Sequence, residues 1–256
     1  MDSLLVSREG AHATVTLSRP EKLNALDRSL WAAVGEAFRD LDRDDDLRCI
    51  VLRGAGGNFG AGADIAEFPT HRTGAEAARG YYAIMNETMA AISECRHPTV
   101  ALIEGACVGG ALELALCCDL RLASANARFG VPIQKIAVNM AYPELEVLIA
   151  AVGRANALEI LLEGRVFPAD EALHKGLINR VVPADKFEEE GLACARRIAA
   201  GAPLVHRFHK RAANVLLRGA PTFAERDEAL ATFASEDFKE GQTAFVAKRP
   251  PVFRGR

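Results

Sequence analysis

Hydrophobic and polar positions alternate in two short runs near the N-terminus. Residues 4–8 (Leu-Leu-Val-Ser-Arg) and 13–17 (Ala-Thr-Val-Thr-Leu) predict two strands around a turn at Glu9-Gly10-Ala11-His12. The period then lengthens. Leu30, Trp31, Val34, Phe38 and Leu41 recur at helical spacing behind Asp27, an N-cap residue type, and predict a helix. The acidic run Asp40 to Asp46 ends it as a solvated turn. Cys49-Ile50-Val51-Leu52 is continuously apolar, as in a strand buried on both faces. It enters a loop, 54–63, with five glycines in ten residues. A helix over 75–93, a buried strand over 98–103 and a second glycine cluster over 105–110 follow. The helix from that cluster through Cys117 is apolar nearly all round, which predicts burial, and 120–123 reads as another strand.

Recurring strand-then-helix units imply an α/β layer architecture with a parallel sheet. From Pro183 onward the pattern changes to helices alone, over 186–200, 203–217, 222–235 and 239–247. The expected organisation is a core over 1–183 and a helical region over 184–256. That region has no sheet to cover in this reading and is expected to pack or oligomerise.

Composition narrows the function classes. Half the chain is apolar, and 31 Lys+Arg against 34 Asp+Glu leave a net charge of −3. Disorder needs lower hydrophobicity and higher charge, and nucleic-acid binding ordinarily needs a basic chain, so neither is expected. The longest apolar run, Val147 to Val152, falls short of the ~18 residues that span a bilayer. Met1-Asp2-Ser3-Leu4 lacks the basic start and apolar core of a signal peptide, so the expected location is the cytoplasm. The six cysteines include no CxxC pair and read as free thiols in a reducing compartment. His206 and His209 share a helix face at i,i+3 but sit among Arg207, Lys210 and Arg211, which would repel a cation. No metal site is expected.

The two glycine loops carry more information. Each follows a strand and enters a helix, where backbone N–H groups lack intrahelical partners and the dipole favours negative charge. Two such turns at one sheet edge could aim two amides at a single oxygen, the arrangement that stabilises charge developing on a carbonyl. Ordinary strand–helix turns are the other reading of the same residues. No GxGxxG follows the first strand, and GxxxxGK[ST] and GxSxG are absent, which argues against dinucleotide, P-loop and serine-elbow sites. Ser93, Ser124 and His97 lie outside both loops, so a peptidase-type triad is not expected.

The loops also carry a resemblance. Gly54-Ala55-Gly56-Gly57-Asn58-Phe59-Gly60-Ala61-Gly62-Ala63-Asp64-Ile65 and the stretch from Gly105 to Leu120 (GACVGGALELALCCDL) resemble the two signatures of the enoyl-CoA hydratase/isomerase (crotonase) superfamily. Arg19 to Leu26, Gly176 to Pro183 and the tail from Ser235 to Phe253 resemble further family segments, so the likeness spans essentially the whole chain. The resemblance implies a right-handed spiral of ββα units with a helical C-terminal trimerisation region, assembled as a homotrimer or a dimer of trimers. It implies an acyl-CoA thioester substrate whose carbonyl oxygen is held by the amides of Ala63 and Gly110. The CoA moiety would run past Lys22, Leu23 and Ala25 and along Ala61, Gly62, Asp64 and Ile65. No cofactor is implied beyond the coenzyme A of the substrate, and no membrane or nucleic-acid partner.

Glu113 lies on the first turn of the buried helix. A first-turn carboxylate complements the helix dipole. It is also costly to bury between Leu112 and Leu114 without a role, and it matches one of the two catalytic glutamates of family hydratases. The second family glutamate follows a proline, and here that stretch is Phe129-Gly130-Val131-Pro132-Ile133, placing an apolar Ile133 at the acyl pocket. The next turn, Asn139 to Glu144, is altered as well. Tyr142 and Glu144 are the candidate substitutes, with a packed aromatic and a helix-start carboxylate as their alternative readings. Asp64 is expected to cap a helix, Glu67 to face solvent, and Arg79, Tyr81, Tyr82 and Met85 to line the acyl tunnel or pack in the core. Hydration of a 2-enoyl-CoA is the first expectation. Double-bond isomerisation, another thioester reaction such as decarboxylation or hydrolysis, and acyl-CoA binding with little catalysis stay open.

Overall fold

The computed structural model describes residues 2–256. The N-terminal alternation forms an antiparallel hairpin, β1 (Leu4–Glu9) and β2 (His12–Leu17), with Val6 opposite Val15. Asp27 caps α1 (Arg28–Asp42) by accepting a hydrogen bond from the Leu30 amide at 2.8 Å. β3 (Cys49–Gly54), β4 (Thr99–Ile103), β6 (Leu120–Ser124) and β9 (Arg180–Val182) extend the hairpin into a six-stranded sheet in the order β1-β2-β3-β4-β6-β9, parallel beyond the hairpin. Between β3 and β4 run the short α2 (Phe68–His71) and α3 (Ala75–Ser93); α4 (Gly110–Cys117) joins β4 to β6 and is buried throughout.

Both faces of the central strands are covered, which explains their unbroken apolar runs. Ile50, Leu52, Ala101 and Ile103 face the larger core with α1, α3 and α4. Cys49, Val51, Val100 and Leu102 point the other way, against Phe187, Cys194 and Ala195 of α7 (Phe187–Ala199). The helical region therefore does cover a sheet, contrary to the sequence expectation. The amphipathic stripe of α7 is matched by strand residues too distant in sequence for periodicity to reveal.

The second glycine cluster is not all loop. Ala106–Val108 forms β5, which pairs with β7 (Arg128–Gly130), and β7 pairs with β8 (Phe167–Pro168) in a three-stranded sheet. The sequence pattern predicts no element over 142–163, where the chain forms α5 (Tyr142–Glu163). Its apolar residues are spread around the helix rather than gathered in one stripe. At Gly153 the backbone turns to φ 73°, a conformation that favours glycine, and the helix kinks there. α6 (Ala169–His174) leads to β9, and α8 (Pro203–Arg218), α9 (Phe223–Glu228) and α10 (Glu236–Val246) follow α7. The helix expected over 222–235 breaks after α9 into a separate 3-10 turn at Ala231–Ala234.

All six cysteines are buried and unpaired. No helix of the described residues is long and apolar enough to cross a membrane. Among the described residues no cluster of His, Cys, Asp and Glu is arranged to hold a metal ion.

Candidate active site

The two glycine loops meet because side chains pin them together. Asn24, fully buried, donates to Ala55 O at 2.8 Å and Asn58 O at 2.7 Å. Asn58 in turn accepts from the Ala106 amide at 2.9 Å, tying the first loop to β5. Gly62 takes φ 95°, and a Cβ there would sit 2.8 Å from Val108 O and 3.6 Å from Gly110 N. Glycine at 62 is thus required both by its dihedral and by the approach of the loops.

That approach sets the direction of two amides. Ala63 bridges Leu26 in parallel fashion: Leu26 N–H donates to Gly62 O (2.7 Å) and Asp64 N–H donates to Leu26 O (2.8 Å). In such a bridge the N–H of the intervening residue faces away from the partner segment. The Ala63 amide therefore faces away from the Leu26 segment, and Ala63 lines the cavity. Gly110 is the first residue of α4, where an amide has no intrahelical acceptor, and it lines the same cavity.

The cavity measures about 310 Å³ and takes its floor from both loops. Glu113 and Glu144 enter it, 5% and 2% exposed. Glu113 Oε2 and Glu144 Oε1 have no hydrogen-bond partner among the described residues. Burial, and then the charge of Glu144, pushes Glu113 up to about 8 from its ordinary 4.5. Burial also raises Glu144, while the Ala141 amide, donating to Glu144 Oε2, works in the opposite direction. Two buried carboxyls sharing one site do not ionise together. Of the two, Glu144, with its amide donor, is the better seat for a negative charge.

The remaining expected residues divide in two. Ala61, Gly62, Ile65 and Ile133 line the cavity, with Ile133 supplying an apolar wall. Lys22, Leu23 and Ala25 are off the cavity wall, on the segment bonded to the first loop through Ala61 N–H to Leu23 O at 2.9 Å, and Asp64, at the end of that loop, is off the wall too. Asp64 caps the 3-10 turn after the loop through Ala66 N–H, and it accepts from Lys22 Nζ (2.8 Å) and Arg19 Nη2 (3.0 Å). The Lys22 hydrogen bond leads in holding the Asp64 carboxyl below its ordinary value. Tyr142, expected at the acyl pocket, is 90% exposed and off the cavity wall. It occupies the first position of α5, and the residue two places on, Glu144, turns inward instead. Glu67 does not simply face solvent: it accepts from the Arg28 amide at 2.7 Å and helps start α1.

Tyr82 and Met85 line the cavity, whereas Tyr81 is buried beside it and Arg79 is exposed. The sequence reading missed Arg72, which also lines the cavity, and the pinning roles of Arg19, Asn24 and Asn58. Arg72 stands alone in a polar stretch with no periodicity to mark it. The asparagines lay within quoted motifs, but only their contacts across the fold reveal what they hold.

The fold has known counterparts. A structure of an enoyl-CoA hydratase/carnithine racemase from Magnetospirillum magneticum superposes with a TM-score of 0.98 at 48% identity, covering 100% of this chain and 97% of that one. A probable enoyl-CoA hydratase of Mycobacterium bovis is 36% identical over 100% of this chain and 99% of its own length. The short-chain-enoyl-CoA hydratase of Clostridium acetobutylicum is 31% identical, with 97% and 96% covered. The α/β architecture is the crotonase fold that these structures share. The profile of the enoyl-CoA hydratase/isomerase family matches residues 7–256, and the chain is a member of that enzyme family.

Proposed function

We propose that the protein hydrates a 2-enoyl-CoA to the 3-hydroxyacyl-CoA, using Glu113 and Glu144 as its acid/base pair. The observation that carries this reading is the meeting of two buried, incompletely hydrogen-bonded carboxyls in the cavity that Ala63 and Gly110 line. Glu144 takes the part of the glutamate that Ile133 replaces, reaching the site from the start of α5.

In this reading the thioester oxygen accepts hydrogen bonds from the Ala63 and Gly110 amides. Ionised Glu144 removes a proton from water as its oxygen bonds to Cβ. The π electrons move toward Cα and the thioester oxygen, where the two amides stabilise the enolate. Protonated Glu113 gives its proton to Cα. One water is consumed, the pair retains one proton, and no further cofactor is called for. Each proton transfer is the kind of step that a positioned carboxyl accelerates by ~10²–10⁴-fold. The Lys22 to Ala25 segment and Asp64 would border the CoA moiety.

The apolar Ile133 wall also suits an isomerase, in which the pair would move a proton between Cα and Cγ with water excluded. Purified enzyme with crotonyl-CoA decides. Loss of the conjugated-enoyl absorbance with formation of 3-hydroxybutyryl-CoA is expected. Absence of that product, together with interconversion of 2- and 3-enoyl-CoA isomers, would replace hydration by isomerisation.

The helical region supports assembly. Phe223 and Phe245 are 85% and 86% exposed in the single chain, with Leu216, Leu217 and Val246 also exposed. We propose that residues 184–256 join subunits into a homotrimer or a dimer of trimers, acting in the cytoplasm. Light scattering on the eluting enzyme would give three or six chain masses.

A further inference from the structure

One charged side chain in the cavity is left over by the mechanism. Arg72, at the end of α2, holds its guanidinium carbon 3.9 Å from the Tyr81 ring centre, 4.6 Å from Phe68 and 5.5 Å from Tyr82. Such stacking fixes the plane of the group and leaves its N–H edge free. Among the described residues its guanidinium donates from Nη2 to Met85 Sδ at 2.9 Å, and a thioether is a weak acceptor. Nε is buried without any acceptor. Its interaction with Glu113 and Glu144 is through space, with a hydrogen bond to neither. A guanidinium offers five donors in a rigid fork that matches a carboxylate, and a buried donor left unmet is costly. Lys135, the other cation on the wall, is exposed and hydrated. Arg72 is therefore a half-buried, oriented cation for which the described residues supply no strong acceptor.

We propose that Arg72 binds a carboxylate on the acyl group, so that the preferred substrates are 2-enoyl-CoA thioesters bearing a free carboxylate. This rests on the acyl-CoA reading of the site. It assigns the aromatic cage of Phe68, Tyr81 and Tyr82 a purpose: it holds the cation at the cavity without neutralising it. A methyl-terminated acyl chain would leave the fork unmet, whereas a carboxylate would accept from its terminal nitrogens.

The test compares 2-enoyl-CoA probes ending in a carboxylate, with one, two or three methylenes after the double bond, against methyl-terminated analogues. Wild-type kcat/KM should favour a carboxylated probe by at least about tenfold, and Arg72→Met should lower that value by ~10²-fold. The methyl-terminated partner should fall by much less, reversing the preference, and its continued turnover shows that the variant folds. Arg72→Lys should restore part of the loss, since a point charge replaces a fork. Equal loss on both probe types would overturn the proposal and make Arg72 a counter-charge for the glutamate pair. Wild-type preference for every methyl-terminated probe would overturn it without any variant. Calorimetric binding of the saturated analogues separates this proposal from the hydration reading. Carboxylate preference in binding without hydration would overturn hydration alone, and hydration without that preference would overturn the role of Arg72 alone.

Discussion

The cavity has two kinds of wall. One is backbone: the loops at 61–63 and 108–110 contribute amides, small residues and the tight contact at Gly62. The other is side chain: Arg72, Tyr82 and Met85 on one segment, Ile133, Met140 and Glu144 on another. In the proposed function the backbone wall does one task, holding a carbonyl oxygen, which a loop of the right shape can perform. The side-chain wall carries what distinguishes one thioester reaction from another. In that proposed function its acid/base group moves from position 133 to 144, while the amides that it serves stay in place. Polarisation of the thioester and the choice of proton route are thus separable in this fold.

Breaking the side-chain wall at its most demanding point should cost most. Glu113→Gln keeps the shape and removes the proton donor, so kcat on an enoyl-CoA should fall by ~10²–10⁴-fold with a small change in KM. Stopped-flow or steady-state absorbance measures it, and a loss below about threefold would make Glu113 a helix-dipole partner only. The backbone wall is broken by Gly62→Val, whose side chain would meet Val108 O. Displacing one amide donor should lower kcat by ~10²–10³-fold. Substrate analogues should lose affinity too, because the thioester oxygen is held in both ground and transition states.

The two glutamates also leave a mark on stability. Folded Glu113 keeps its proton to about 8, while the unfolded chain releases it near 4.5. Between those values the unfolded state binds fewer protons, so stability falls as pH rises. Thermal melts of Glu113→Gln should gain on wild type steadily from pH 5 to about 8. A constant difference across that range would mean that the carboxyl is not buried with its neighbour. The smallest effect belongs to Tyr142→Ala. Its ring is off the wall, so kcat and KM should stay within about twofold; a loss as large as that of Glu113→Gln would restore Tyr142 to the site.

The same division accounts for what could be read without coordinates. Strands β3 and β4 and helices α1, α3 and α4 follow from local pattern, because each buries a face or is buried whole. The two glycine loops were legible since a backbone site writes itself as glycine in sequence. Ile133 could be seen as a departure from the family pattern and Tyr142 and Glu144 as candidate replacements, but the choice between the two could not. Glu144 at a helix start looks like an ordinary cap, and it does accept the Ala141 amide; its meeting with Glu113 depends on how α5 packs on α4. Arg72 escaped notice for the same reason, since the aromatic cage around it is a tertiary object. The sheet contact of α7 is not legible because, apart from Val182 in β9, its partners lie in β3, β4 and β6, more than 60 residues upstream.

The shift of acid/base duty to Glu144 is the central claim, and Glu144→Gln tests it most directly. Crotonyl-CoA hydration by the variant should be slower in kcat by ~10²–10⁴-fold, with the fold intact by circular dichroism and acyl-CoA binding retained. Hydration within about threefold of wild type would contradict the account and return Glu144 to the role of a helix-start carboxylate.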